Sequence, residues 1–435
     1  MKQIVHAQET VLPAISASVG HVLRILQKPA VVPLGDQLFV SAANFALGIL
    51  VARLVGVAEF GQFTLALFLA ALGVTLINYL MCAPMMTLAG SRQNRSLAYF
   101  SAVMRISTVL SALMALCAAG VIAGLIAARD GAMPWPLFWA SAHLTLGLAV
   151  HNALRRTYFA QGRAGLALAI DLARFVFLAI AVGVALLIRG DDDISAELVL
   201  HALGGGALLA SLPGLVTLCA HRAPRRLWLS VLQRHWPMAR WLVLMVVVSI
   251  GQEQLIWMMV SYQLGDAAVG GLRSAHYLLG VTHFIMMAME NFVPRQAARH
   301  HAERGRQGLL SYLTLQTVLL GGPTAALIIA VCAPAQIWLD LFFGAEFAQY
   351  APSVWLFGTA YLCIFLRDLW SYYLRTIEHT RAMFTSMAVS SIGAAIMIVP
   401  ALDWFGPLGA AVVMAAAHAL SMIYMFAMVA RHHLR

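Results

Sequence analysis

The chain has 435 residues, of which 61% are hydrophobic and 11% charged, with a formal net charge of +10. A soluble domain carries roughly 25% charged residues, and a globule of this length has too little interior to hide so much apolar surface. The composition excludes a soluble enzyme, a nucleic-acid-binding domain and a disordered tail, and the long apolar runs exclude an outer-membrane barrel, whose strands would alternate apolar and polar residues.

Taken in chain order, residues 1–35 lack the compact apolar core and small-residue cleavage site of a secretory signal. The stretch 10–27 is mildly amphipathic and suits a membrane interface. Apolar runs bounded by charges, Gly and Pro then predict twelve spanning helices. The first six are 36–56, 64–89, 98–126, 136–159, 166–188 and 197–219. The other six are 241–262, 271–294, 309–331, 350–374, 383–402 and 407–429. Every connection is short. The expected architecture is an all-α integral membrane protein with a six-helix N-terminal lobe (36–220) and a six-helix C-terminal lobe (241–430). A basic cytoplasmic linker (221–240) joins the lobes, and a cytoplasmic tail (431–435) follows.

Basic residues set the orientation. With the N-terminus and the even-numbered loops placed in the cytoplasm, 21 Lys and Arg fall on that side and 2, Arg129 and Arg189, on the other. This split predicts cytoplasmic N- and C-termini and an even number of spans. Five cysteines, Cys82, Cys117, Cys219, Cys332 and Cys363, are scattered through apolar runs with no CxxC spacing and read as small buried hydrophobes.

The halves repeat. RLVGVAEFGQF (53–63) echoes YQLGDAAVGGL (262–272), aligning Gly56 with Gly265 and Gly61 with Gly270 at an offset of 209. QGRAGLALAIDLAR (161–174) echoes HTRAMFTSMAVSSI (379–392) at an offset of 218. A parallel repeat of this kind places its two halves around a central cavity.

Ionisable groups inside spans are costly and mark candidate sites. Span one carries Gln37, Ser41 and Asn44 on one face, with Arg53 on the opposite side near the external end. Span two adds Asn78. Asp171 and Arg174 on span five have intrahelical ion-pair spacing. Span seven holds Gln252, Glu253 and Gln254 near its middle. There Glu253 reads as a coupling-ion or proton site, an acceptor for substrate hydroxyls, or a structural partner of Arg273 or His283. Span eight carries Arg273, His276, His283, Glu290 and Asn291 within about a 100° arc of an ideal helix, the pattern of a water-lined stripe or of buried interhelical bonds. Arg105, Arg367 and Asp368 lie toward cytoplasmic ends and suit snorkelling. His143, His151, His201 and His418 read as satisfied core histidines. No metal-ligand set, nucleophile elbow or P-loop is present in the sequence, so no cofactor is expected.

Three segments, NFALGILVARLVGVAEFGQFTLALFL (44–69), FFGAEFAQYAPSVWLFG (342–358) and WFGPLGAAVV (404–413), give the chain its resemblance to a known family. It resembles the polysaccharide flippases (O-antigen and exopolysaccharide) of the multidrug/oligosaccharidyl-lipid/polysaccharide exporter superfamily. The resemblance implies transport of polyprenyl-pyrophosphate-linked sugar from the cytoplasmic to the periplasmic leaflet of a bacterial inner membrane by alternating access, with no catalysis. Partners so implied are the lipid-linked sugar, membrane lipid, H+ or Na+ as coupling ion, and polysaccharide-assembly proteins. Arg273 and Arg53 would attract the pyrophosphate. The competing expectations are a cation-coupled drug exporter of the same superfamily, lipid II export, and a polysaccharide polymerase or ligase. The last needs large external loops, which this chain lacks. A major-facilitator carrier would need a basic signature between spans two and three where the chain has only SRQNRS (91–96).

Overall fold

The computed structural model describes residues 31–88, 96–190, 194–221 and 223–433. The amphipathic stretch 10–27 lies outside them. The chain is helical, with no strand among the described residues, as a chain in hydrocarbon must be to satisfy its backbone within each segment. Helices α1 (Val31–Ile77) and α2 (Ala83–Leu88) are joined by a π-turn (Asn78–Cys82). Then follow α3 (Leu97–Asp130), α4 (Trp135–Ala160), α5 (Ala164–Arg189), α6 (Ala196–Cys219) and α7 (Arg225–Leu264). The second half continues with α8 (Asp266–Leu278), a 3-10 turn (Leu279–Thr282), α9 (His283–Cys332) and the short α10 (Ala335–Phe342). It ends with α11 (Ala351–Thr376), α12 (Thr380–Phe405) and α13 (Pro407–His433).

Breaks at Gly56 in α1 and Gly305 in α9 divide those helices, so the described residues make twelve passes in two lobes of six. Among the described residues, eight helices are long and apolar enough to cross a membrane by length and composition alone, the first of them (Phe39–Leu88) being two passes joined at Gly56. The passes that fall short of that standard, α4, α8 with the start of α9, and α11, carry His143, His151, Arg273, His276, Arg367 and Asp368. Their polarity is the mark of helices that face protein and cavity.

Two expected loops are helical. The segment 57–63 continues α1 after a one-residue break, because Gly56 at φ 73°, ψ 176° redirects the chain by itself. The basic linker 221–240 is mostly the first turns of α7, which begins after Pro224. There Val231, His235 and Ala239 form a buried stripe, and His235 Nε2 lies 2.9 Å from the Tyr99 hydroxyl of α3. Burial pushes the His235 imidazole down to about 4, so the ring is neutral in this contact.

The repeat is visible in the backbone. Gly265, between α7 and α8, has φ 83°, ψ 175°, nearly the values of Gly56. A Cβ on Gly61 would overlap the Asp266 carbonyl oxygen, and a Cβ on Gly270 would overlap that of Val57. The two contacts are related by the offset of 209, so the lobes cross backbone to backbone about a pseudo-twofold axis. The second echo holds at a different register. The backbone bonds Gln161→Thr157, Gly162→Phe159 and Arg163→Tyr158 recur as Ile377→Tyr373, Glu378→Arg375 and His379→Leu374. The structural offset there is 216, not 218. Both are helix ends closed by a left-handed residue, Gly162 at φ 74° and Glu378 at φ 59°.

Candidate functional site: a cationic cavity between the lobes

The lobes meet at one end, called here the gate end, where Gly56 and Gly265 lie. The rings of Phe60 and Phe63 from α1 pack with Tyr277, Phe343 and Phe347 of the other lobe, with Phe60 centroids 6.0 to 6.4 Å from the last three. Beside them Asp266 is a polar hub. It accepts from Arg129 Nη1 at 2.8 Å, Arg129 Nη2 at 3.0 Å, Gln62 Nε2 at 3.0 Å and Ser261 Oγ at 2.9 Å. Arg129 and Gln62 belong to the N-terminal lobe, Asp266 to the C-terminal one. Arg53 also ties the lobes together. Its Nε donates to the Phe342 carbonyl at 2.8 Å and its Nη2 to the Leu341 carbonyl, capping α10. It therefore stands in the lobe contact and is absent from the residues lining the cavity described next.

Behind this contact a cavity of about 670 Å³ lies between the lobes. Asn44, Ser41 and Phe45 of α1, Arg174 of α5, Arg273, His276 and Tyr277 of α8, His283 of α9 and Tyr361 of α11 line it. Its ionisable lining is two arginines and two histidines together with Tyr277 and Tyr361; no carboxylate stands among the described lining residues. Arg273 Nη1 lies 2.9 Å from His276 Nδ1, and the His276 Nε2 lies 3.4 Å from the Tyr361 hydroxyl. The Arg273 Cζ sits 4.4 Å from the ring centroid of Phe68 and 4.4 Å from that of Tyr277.

The structure brings Arg273, His276, His283 and Asn44 to one cavity and places the other candidates elsewhere. Glu290 is exposed and is not among the lining residues, and the Asn291 side chain lies outside the described residues. Glu290 stands seventeen residues beyond Arg273, roughly 25 Å further along the helix, past Phe284, the last residue of α9 that lines the cavity. Gln252 and Glu253 lie on a separate hollow of about 80 Å³ inside the C-terminal lobe, with Arg367, Ser390 and His418. There Gln252 accepts from Ser391 Oγ at 2.9 Å, Glu253 from Trp257 Nε1 at 3.4 Å, and Arg367 is bonded to Asp368 at 2.8 Å. Asn78 sits in the π-turn of span two, where its carbonyl accepts from Ala83, and does not line the central cavity.

Three features escaped sequence reasoning. Arg174 reaches the cavity, while Asp171 accepts from His151 Nε2 at 2.7 Å and Arg155 Nε at 2.6 Å of the neighbouring α4. The Arg129–Asp266 hub joins residues far apart in the chain. Phe68 and Tyr277 were passed over although a signal was present: they are aromatic residues at the same repeat position, one turn beyond Thr64 and Arg273 respectively.

No protein-family model matches the sequence, and no curated protein matches it. Solved structures do. A lipid II flippase, MurJ, in an inward closed conformation is 14% identical, with 91% of this chain and 86% of that one covered, at a TM-score of 0.65. An inward-facing multidrug-resistance MATE family transporter is 12% identical over 90% and 94% of the two chains, at 0.67. An outward-facing MATE transporter covers 93% of each chain at 12% identity and 0.58. The chain has the MOP superfamily fold. Within that fold, the gate end is where the halves cross and the cavity is the space between them.

Proposed function

We propose that this MOP-fold protein flips a polyprenyl-pyrophosphate-linked oligosaccharide across the bacterial inner membrane by alternating access, for surface-polysaccharide synthesis. The observation that carries the reading is the cavity's charge. Arg273 and Arg174, with His276 and His283, face a space without a carboxylate among its described lining residues. In a low-dielectric cavity an unpaired pyrophosphate is strongly disfavoured and an arginine fork binds it in two-point contact. The Asn44 amide and the Tyr277 and Tyr361 rings supply hydrogen bonds and flat faces for the first sugar. The same charge opposes the drug-exporter reading, because a cationic drug would meet the like charges of Arg273 and Arg174 and no carboxylate among the described lining residues.

The arginine split of the sequence orients the gate end toward the periplasm. The cavity then loads from the cytoplasm. The state described is the inward one, in keeping with the higher TM-scores to the two inward structures. Glu253 and its hollow, apart from the cavity, are the place for a coupling ion.

The test is reconstitution with a fluorescent polyprenyl-pyrophosphate sugar, read as protection from an external quencher. Arg273→Ala and Arg174→Ala should each slow flipping at least about tenfold, from loss of a charge-assisted bond of ~1.5–3 kcal/mol. Wild-type rates for both variants would overturn the assignment. Paired substrates with a bacterial repeat-unit sugar and with a lipid II head group then separate the two donors that share this pyrophosphate.

A further inference from the structure

The grip on Arg273 has a symmetry that the cavity alone does not require. Phe68 and Tyr277, the two rings at 4.4 Å from its Cζ, are 209 residues apart. That is the offset relating Gly56 to Gly265 and Gly61 to Gly270. The two rings are repeat mates, one from each lobe. The cation has no mate, for the position equivalent to Arg273 is Thr64, which is buried. One guanidinium is thus held between two symmetry-related aromatic rings, and one of those rings belongs to the opposite lobe.

Phe68 is deeply inserted. Its ring also stacks on Trp257 of α7, at 5.1 Å between centroids and 26° between planes. An N-lobe ring therefore lies wedged between two C-lobe groups, Trp257 and Arg273. It follows the Gly61–Gly270 crossing by seven residues, two helical turns along α1. Any motion that opens the gate end must part that crossing and draw Phe68 out of the wedge. Tyr277, on the same helix as Arg273, moves with it.

We propose that Phe68 is a positioning residue that ties the pyrophosphate affinity of Arg273 to the state of the gate. With the gate end closed, both rings hold the fork, so little side-chain freedom is lost when pyrophosphate binds. With the gate end open, Arg273 keeps Tyr277 and loses Phe68, and the site loosens on the side where the lipid-linked sugar leaves. This rests on the reading of the cavity as a pyrophosphate site, and the experiment separates the two.

The experiment measures the dissociation constant of a fluorescent polyprenyl pyrophosphate for the full chain in lipid nanodiscs. The variants are Phe68→Leu, Phe68→Tyr and Arg273→Ala, with Phe68→Leu also made in the Arg273→Ala background. Phe68→Leu should weaken binding by about tenfold, and Phe68→Tyr should stay within about twofold of wild type, because the ring face is what acts. In the Arg273→Ala background Phe68→Leu should change nothing further, since the double-mutant cycle isolates the pair. Should leucine prevent folding, Phe68→Met keeps the volume against Trp257 and takes its place. Wild-type affinity for the leucine variant, or the same loss with and without Arg273, would overturn the positioning role and leave the pyrophosphate site standing. Undiminished binding by Arg273→Ala would remove both.

Discussion

The two ends of the molecule are built differently. At the gate end a single apolar core draws on both lobes, from Val51, Phe60 and Phe63 to Trp257, Phe343 and Phe357. At the opposite end the core splits in two. One cluster gathers Met81, Met85, Tyr99 and Leu154 with Val231 of α7; the other gathers Met289, Val293, Phe365, Leu369 and Tyr373. The same helices are thus fused at one end and separate at the other, and the cavity lies where they part. A fused end can release only if its contacts are reversible. Ring packing and backbone crossings part without leaving an unpaired charge, and Arg129 keeps Asp130 as a second partner at 2.7 Å when Asp266 withdraws.

That contrast can be broken most strongly at Gly61. Gly61→Leu places side-chain atoms where the Asp266 carbonyl stands. Overpacking worth ~3 kcal/mol shifts the ratio of open to closed gates about a hundredfold. Spin-label distances across the gate end should lengthen. Gly165→Ala, at the split end, meets no atom within 4 Å and should leave those distances unchanged.

A smaller effect is expected at the polar hub. Asp266→Asn removes the charge that Arg129 and Gln62 face, in a site where Asp266 is 6% exposed and Arg129 19%. Removing one partner of so partly buried a pair costs about 1–2 kcal/mol, between the exposed and the fully buried cases. Thiol labelling of a cysteine placed in the gate should speed up about five- to thirtyfold.

The comparison sharpens further in double-mutant cycles. Phe60→Ala with Phe343→Ala, whose ring centroids are 6.3 Å apart across the lobes, should show a coupling of ~1 kcal/mol. Leu154→Ala with Leu369→Ala, one in each separate core, should be additive within ~0.5 kcal/mol. Unfolding in mixed micelles reads both. The smallest change is expected at Glu378, which holds φ 59° where the repeat has Gly162. Glu378→Gly should stabilise by about 0.5–1 kcal/mol and leave flipping unaltered.

The sequence made the passes, their number and the gate-end repeat legible because each is local: apolar runs, a glycine that must turn, a glycine that must touch. What it concealed depends on geometry between helices or on departures from an ideal helix. The stripe from Arg273 to Asn291 counted angle around the helix and not distance along it, and the cavity ends at Phe284, short of Glu290. The offset of 218 came from matching residue types in QGRAGLALAIDLAR, whereas the hydrogen bonds of the helix ends show 216. Arg53 matched a resemblance and pointed to substrate, yet its partners are carbonyls of α10 that only tertiary folding brings near. The spacing of Asp171 and Arg174 suited an ion pair within α5; it did not reveal that α4 brings His151 and Arg155 to that carboxylate or that Arg174 reaches the cavity.

The most direct test locks the gate. Cysteines in place of Gln62 and Asp266, whose side chains are 3.0 Å apart across the lobes, can be joined by a short reducible thiol cross-linker, with the native cysteines replaced. Flipping of the fluorescent polyprenyl-pyrophosphate sugar in proteoliposomes is then measured before and after reduction. The account predicts that the cross-linked protein still binds the lipid but does not flip it, and that reduction restores transport. Full-rate flipping with the gate end held shut would contradict alternating access through this cavity.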